Sequence, residues 1–127
     1  YRTTGVSMGN PHGVIFVDEI DDDLVLRQGP LLEEAPIFPA KANIEFAKVL
    51  DRSTIEMRVW ERGTGETLAC GTGACATAVA AALNGLTGRE VDVLLRGGTL
   101  HIRWDETDGH VFMTGPAAFI CDGVFYL

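Results

Sequence analysis

Short apolar runs separated by turn residues cover most of the chain, and their period is that of strands. Gly13-Val14-Ile15-Phe16-Val17 follows a turn signal at Asn10-Pro11-His12-Gly13. Residues 43–50 and 54–61 flank Asp51-Arg52-Ser53 and read as a hairpin. Further strands are predicted at 91–95 and 99–104, joined through Gly97-Gly98, then at 110–114 and 119–126, the last bulged at Asp122-Gly123. One stretch breaks this rhythm. From Thr67 to Gly88 no side chain is charged, and the alanine-rich run beyond Cys70 reads as a helix wrapped by protein on all sides. A second, short helix is predicted at 21–28, followed by a loop through Pro30, Pro36 and Pro39. The expected class is α+β: a mainly antiparallel, barrel-like sheet around one central apolar helix, in a single domain over residues 1–127.

Composition narrows the function. Hydrophobic residues make up 46% and charged ones 22%, as in an ordinary soluble globular protein. A net charge of -8 argues against nucleic acid, because phosphate contacts need clustered Lys and Arg. The acidic run Asp18-Glu19-Ile20-Asp21-Asp22-Asp23 reads as a solvated loop and helix start; it lacks the glycine and final glutamate of an EF-hand loop, and no metal is expected. The apolar stretch is interrupted by Thr72, Gly73, Thr77, Asn84 and Gly85, so it suits a protein core and not a membrane. The three cysteines form no Cys-x-x-Cys pair. Cys70 and Cys75 lie roughly 140° apart around a helix and cannot readily pair, which points to a reducing compartment, the cytoplasm. No charged-then-apolar leader opens the chain, and a start at Tyr1 suggests a processed or excised piece.

The chemistry gathers where the glycine-broken loop Glu61-Arg62-Gly63-Thr64-Gly65-Glu66-Thr67 leads into Cys70 and the helix. A thiol at a helix N-terminus feels about half a unit of positive charge, which favours the thiolate. The unpaired N–H groups there, opened by Gly71 and Gly73, can bind a carboxylate or phosphate. Glu61 continues the inward row Ile55, Met57, Val59, so its carboxylate ends either in solvent or beside Cys70. Plainer readings exist for every residue. Cys70 can be a packed thiol; Cys75 reads as structural and Cys121 as structural or interfacial. His12 reads as exposed in a turn, Asn10 as a turn former and Asn43 as a strand-edge residue, while His101 and His110 suggest nothing.

Gly71-Thr72-Gly73-Ala74-Cys75-Ala76 also matches the dinucleotide fingerprint, with Glu90 nineteen residues beyond Gly71, so a nicotinamide-binding module is a rival reading. That fingerprint needs a strand running straight into its first glycine, and here a loop intervenes. No Gly-Lys-Ser/Thr follows, so a P-loop fails. A Cys-His-Asn hydrolase has the residue types but little support from the glycine-rich setting.

Taken together, Gly9-Asn10-Pro11-His12-Gly13, Asn43-Ile44-Glu45-Phe46, and Glu61-Arg62-Gly63-x-Gly65-Glu66-Thr67 leading to Ala69-Cys70-Gly71-Thr72-Gly73-Ala74 resemble the C-terminal half of diaminopimelate epimerase. The tail Met113-Thr114-Gly115-Pro116-Ala117 with Asp122-Gly123 is similar as well. The resemblance implies two like halves, each a sheet around a central helix, with the site between them and one cysteine from each. It implies an isomerase that interconverts LL- and meso-diaminopimelate for lysine and peptidoglycan precursors, with no pyridoxal phosphate, metal or other cofactor. Carried over, Cys70 becomes the acid/base thiol. Gly71 and Thr72 hold the reacting carboxylate; Asn10, Asn43 and Arg62 bind the distal end; Glu61 and His12 tune charge and orientation. The implied partners are diaminopimelate and the N-terminal domain with its Cys-Gly-Asn motif, which these 127 residues do not contain. Cys121 stands where the family often has tyrosine, in a strand associated with dimer contacts, so the resemblance leaves a homodimer open. A non-catalytic binding or assembly domain of the same fold is the second rival.

Overall fold

A computed structural model describes residues 2–38, 41–68 and 70–115. Its strands are β1 (Thr4–Ser7), β2 (Pro11–Phe16), β3 (Asn43–Asp51), β4 (Thr54–Glu61), β5 (Gly65–Thr67), β6 (Glu90–Leu95), β7 (Gly98–Trp104) and β8 (Val111–Thr114). They form one sheet in the order β1-β2-β3-β4-β6-β7-β8, with β5 branching from β4. The helices are α1 (Gly29–Glu33), entered through a π-helical turn at Leu24–Gln28, and α2 (Gly71–Leu83). The predicted strand at 119–126, with Cys121, lies outside the described residues.

The sheet curls around α2, which packs against β1 to β4 and β6 to β8. Helix residues Gly73 to Ala81 are all buried. Alanine makes this enclosure possible, because side chains of one carbon let strands approach from several directions without voids. Val14, Ala47, Ile55, Met57, Val59, Val91, Val93 and Ile102 supply the surrounding wall. Thr77, fully buried, directs its hydroxyl to Met57 Sδ at 3.1 Å. A second core lies on the other side of β2 and β3, where Ile15, Ile44 and Phe46 meet Val25 under the π-turn and α1. Both faces of these central strands are therefore covered, which explains why their apolar runs are nearly continuous.

Pairing departs from simple alternation at two places. β2–β3 and β4–β6 are parallel; the other pairs are antiparallel. Each parallel pair is separated in sequence by a helical crossover, as parallel geometry requires. The expected turn at Asn10-Pro11-His12-Gly13 is corrected: Pro11 opens β2, where a missing N–H is tolerated, and the reversal falls at 8–10 after the unforeseen strand β1. His12 is consequently a strand residue, 1% exposed, and not an exposed turn histidine. The helix expected at 21–28 begins later and runs further. Pro30 lies inside α1 at its first positions, where its fixed φ is accommodated, and not in a loop.

The acidic run is anchored rather than simply solvated. Arg58, on the outer face of β4, bonds Glu66 through Nε at 2.7 Å and Nη2 at 2.8 Å, and pairs with Asp22 at 2.8 Å. Arg96 approaches Asp22 and Glu66 at 3.5 Å. This cluster ties β5, and hence the loop into Cys70, to β4. The Arg58 guanidinium holds Glu66 below the usual carboxylate range. Its contribution is therefore present above the unfolded carboxylate pKa and lost as pH falls through the lowered one. Replacing Arg58 with Met is expected to lower the unfolding free energy by about 2–3 kcal/mol, because Glu66 keeps its charge in a half-buried place without its bidentate partner. Urea denaturation at neutral pH measures this; a loss no larger than that of an exposed pair, under about 0.5 kcal/mol, would contradict it.

Candidate active site

The loop after β4 turns sharply. Gly63 and Gly65 have φ of +76° and +94°, values that L side chains rarely adopt, and Glu61 pairs with Gly65 as β5 returns along β4. Asn43 Oδ1 accepts the Arg62 N–H at 2.6 Å, pinning this loop to β3. The Arg62 side chain is exposed. Glu61 continues the inward row of β4, and Thr67 Oγ1 donates to its Oε2.

Cys70 is the N-cap of α2, with extended φ and ψ of -143° and 107°. Its sulfur accepts the Gly73 N–H at 3.3 Å and lies 3.6 Å from Thr72 Oγ1. The N–H groups of Gly71 and Thr72, at the first positions of the helix, have no intrahelical carbonyl to bond. Met113, exposed, lies against Gly71 where a Cβ would stand, and Leu68, two residues before Cys70, is also exposed.

The helix start does not by itself make a free thiolate. Burial pushes the Cys70 thiol up; the Thr72 hydroxyl and Gly73 amide pull it down, and Glu61 and Glu45 push it up. Removal from water thus outweighs the expected help from the helix end, and Cys70 rests as a thiol at neutral pH. Burial also pushes Cys75 up, and no hydrogen bond offsets it. Cys75 sits in the apolar core, a free thiol like Cys70. Brief iodoacetamide treatment at neutral pH should therefore label Cys70 about tenfold faster than Cys75, since only Cys70 has donors for its thiolate. Mass mapping that finds Cys75 labelled first would remove the basis for treating Cys70 as the activated sulfur.

Around this sulfur the fold assembles residues far apart in sequence. Asn10 Nδ2 reaches Thr72 Oγ1 at 3.5 Å, and Asn10 Oδ1 lies 3.2 Å from His12 Nε2. His12 Nδ1 lies 2.7 Å from Glu45 Oε1, both side chains fully buried. Asn10, His12, Glu61, Cys70, Gly71 and Thr72 thus gather at one end of α2, while Asn43, paired with His12 across β2–β3, holds the backbone of Arg62. His101 does not: it sits on β7 between Glu90 and Asp92, at 2.7 and 2.8 Å. The pocket lined by Phe16, Lys48 and Leu86 lies elsewhere on the sheet; Cys70 itself is buried, and Thr72 beside it is exposed. The strand nearest the glycine fingerprint is β5, which ends at Thr67 and runs antiparallel to β4. It is not the strand running into the first glycine that a dinucleotide site requires.

A model of the diaminopimelate epimerase family matches residues 4–120. The chain belongs to this family. It is 58% identical over 127 residues to the diaminopimelate epimerase of Desulfovibrio desulfuricans, covering all of this chain and 44% of that protein. The enzyme of that name from Leptospira biflexa is 58% identical over 97% of the chain, and that from Methanococcus maripaludis 50% over 97%; the chain covers 44% of each. The chain thus spans about half the length of the curated diaminopimelate epimerases it matches. Among solved structures, a phenazine biosynthesis protein of the PhzF family from Bacillus anthracis superposes with a TM-score of 0.64 at 21% identity, over 87% of this chain and 37% of that one. That likeness concerns the fold alone.

One member of the cluster, Glu45, carries no role in the reading of the sequence. It stood in view within Asn43-Ile44-Glu45-Phe46, where a charged residue on the row Asn43, Glu45, Ala47 faces the helix. An acidic residue in the middle of an inward, apolar row was the available signal.

Proposed function

We propose that this chain supplies one half of a diaminopimelate epimerase site, inverting the α-carbon of LL-diaminopimelate by proton transfer between two thiols. The observation that carries the reading is Cys70 capping α2 beside the open N–H groups of Gly71 and Thr72, in a chain of this family. Inversion needs a base on one face of the carbon and an acid on the other. The substrate carboxylate lies on the Gly71 and Thr72 amides, and the carbanion charge delocalises into it as the α-proton leaves. A thiolate on the other half takes that proton; Cys70, resting as the thiol, returns one from the opposite face and becomes a thiolate bonded by Gly73 N–H. The reverse direction exchanges these roles. One proton leaves and one arrives, so neither cofactor nor metal is called for.

Arg62 meets a carboxylate at the distal end, where a guanidinium binds bidentately. Asn10 and Asn43 hold its polar groups and the loop that presents them. Glu61 and His12 set the charge around the sulfur. The apolar rim of Leu68 and Met113 suits cover by the other half, and the reaction belongs to a cytoplasmic route to lysine and peptidoglycan precursors. Whether two copies then pair is a separate expectation tied to the tail around Cys121. The test is reconstitution. Together with the N-terminal half of a relative, the chain should convert LL- to meso-diaminopimelate and exchange the α-proton for deuterium, and Cys70→Ala should abolish the conversion. Conversion that survives Cys70→Ala would overturn the assignment.

A further inference from the structure

The carboxyl of Glu45 is buried on the inner face of β3, with 0% exposure. Oε1 is 2.7 Å from His12 Nδ1, and Oε2 has no hydrogen-bond partner among the described residues. It lies against the first turn of α2: a Cβ on Gly73 would stand 2.8 Å from Oε1 and 3.2 Å from Cys70 Sγ. From this carboxyl a line of polar contacts leads to the sulfur. His12 Nε2 lies 3.2 Å from Asn10 Oδ1, Asn10 Nδ2 lies 3.5 Å from Thr72 Oγ1, and Thr72 Oγ1 lies 3.6 Å from Cys70 Sγ.

Donor and acceptor chemistry gives that line a direction. An amide oxygen only accepts, so the His12 Nε2 that faces Asn10 Oδ1 carries a hydrogen. His12 Nδ1 and Glu45 then share one further proton, either as a neutral imidazole with a carboxylic acid or as imidazolium with carboxylate. In both forms the pair holds two protons and no net charge. With Asn10 so oriented, its NH2 group donates to Thr72 Oγ1, which leaves the Thr72 O–H to donate to Cys70. Loss of one proton from the pair reverses every step. His12 Nε2 becomes an acceptor, the Asn10 amide turns over, the Thr72 hydroxyl donates to Asn10, and Cys70 must keep its S–H.

We propose that Glu45 is a positioning residue for Cys70, holding the second proton of the His12–Glu45 pair so that the relay through Asn10 and Thr72 donates to the sulfur. Burial without a partner for Oε2 is what makes the carboxyl keep its proton, raising it to about 7. Among the described residues, the other titratable groups on this side are Glu61 from β4 and Cys75 within α2; β6 and β7 present Val91, Val93 and Ile102 inward, with Glu90, Asp92 and His101 on the opposite face. On the reading of Cys70 as the reacting thiol, Glu45 adjusts how readily that sulfur gives up its proton. Alkylation reports the ionisation of Cys70 whether or not it is catalytic, so the two proposals can fail separately.

The test follows the rate of Cys70 alkylation by iodoacetamide against pH in this chain, mapped by mass, with slow labelling of Cys75 as the sign of an intact core. Wild type should show a second inflection near neutral pH in addition to the thiol's own. Glu45→Gln, whose amide can donate to His12 Nδ1 permanently, should keep the rate within about twofold and lose the inflection. Glu45→Leu, which leaves His12 without a partner, should slow Cys70 about tenfold, as one pKa unit of lost thiolate requires. A single titration in wild type overturns the proposal. So does a Glu45→Gln rate as low as that of Glu45→Leu, or an intact Glu45→Leu protein that labels at the wild-type rate.

Discussion

Given LL-diaminopimelate, the 127 residues of this chain alone are expected to yield no detectable meso isomer. On the proposed half-site reading, Cys70 would reach the α-carbon from one face only, so a proton removed on the other face would have no acceptor. A single positioned acid or base contributes about 10²–10⁴-fold, and losing the opposed group forfeits at least that. The loss is larger because the carboxylate would meet the Gly71 and Thr72 amides on an open rim. There, water screens the charge that a closed cleft would leave to the protein. Chiral chromatography of the product, beside deuterium uptake at the α-carbon, decides the matter. Turnover by the chain alone at rates approaching those of the reconstituted pair would sink the half-site reading. It would require a second base among these residues.

The second large effect concerns Glu45 and stability. Its carboxyl, raised by burial from 4.5 to about 7, binds a proton in the folded state that the unfolded chain has already released. The sign follows directly. The stability this proton supplies is complete below the unfolded value and is lost as pH rises through about 7. At about 1.4 kcal/mol per unit, raising pH from about 5.5 to about 8 should lower the unfolding free energy of wild type by about 2 kcal/mol relative to that of Glu45→Gln, which cannot ionise at this position. The proton that His12 takes up on unfolding is common to both proteins and cancels in the comparison. Urea denaturation of both proteins at the two pH values reads the difference. Parallel pH dependence in the two would mean that Glu45 is already ionised when folded, and that His12 compensates it fully.

The sequence by itself determined the elements whose cause is local. The charge-free alanine run specifies α2, alternation on either side of Asp51-Arg52-Ser53 specifies the β3–β4 hairpin, and Gly97-Gly98 specifies the turn from β6 to β7. It also located Cys70 at the helix start, because glycine and cap position are written in neighbouring residues. Tertiary structure decided what depends on partners distant along the chain. β1 and β5 are too short to announce themselves and exist because β2 and β4 pair with them. The two parallel pairs arise from crossovers that no period reveals. His12 became buried only because β1 and β3 flank β2, and the resting state of Cys70 followed from burial that a helix-end argument could not weigh. Glu45 shows the division most sharply. Its place on the inward row was legible, but its protonation depends on the His12 beside it and the missing Cβ of Gly73. Those are properties of a desolvated cluster and not of any segment.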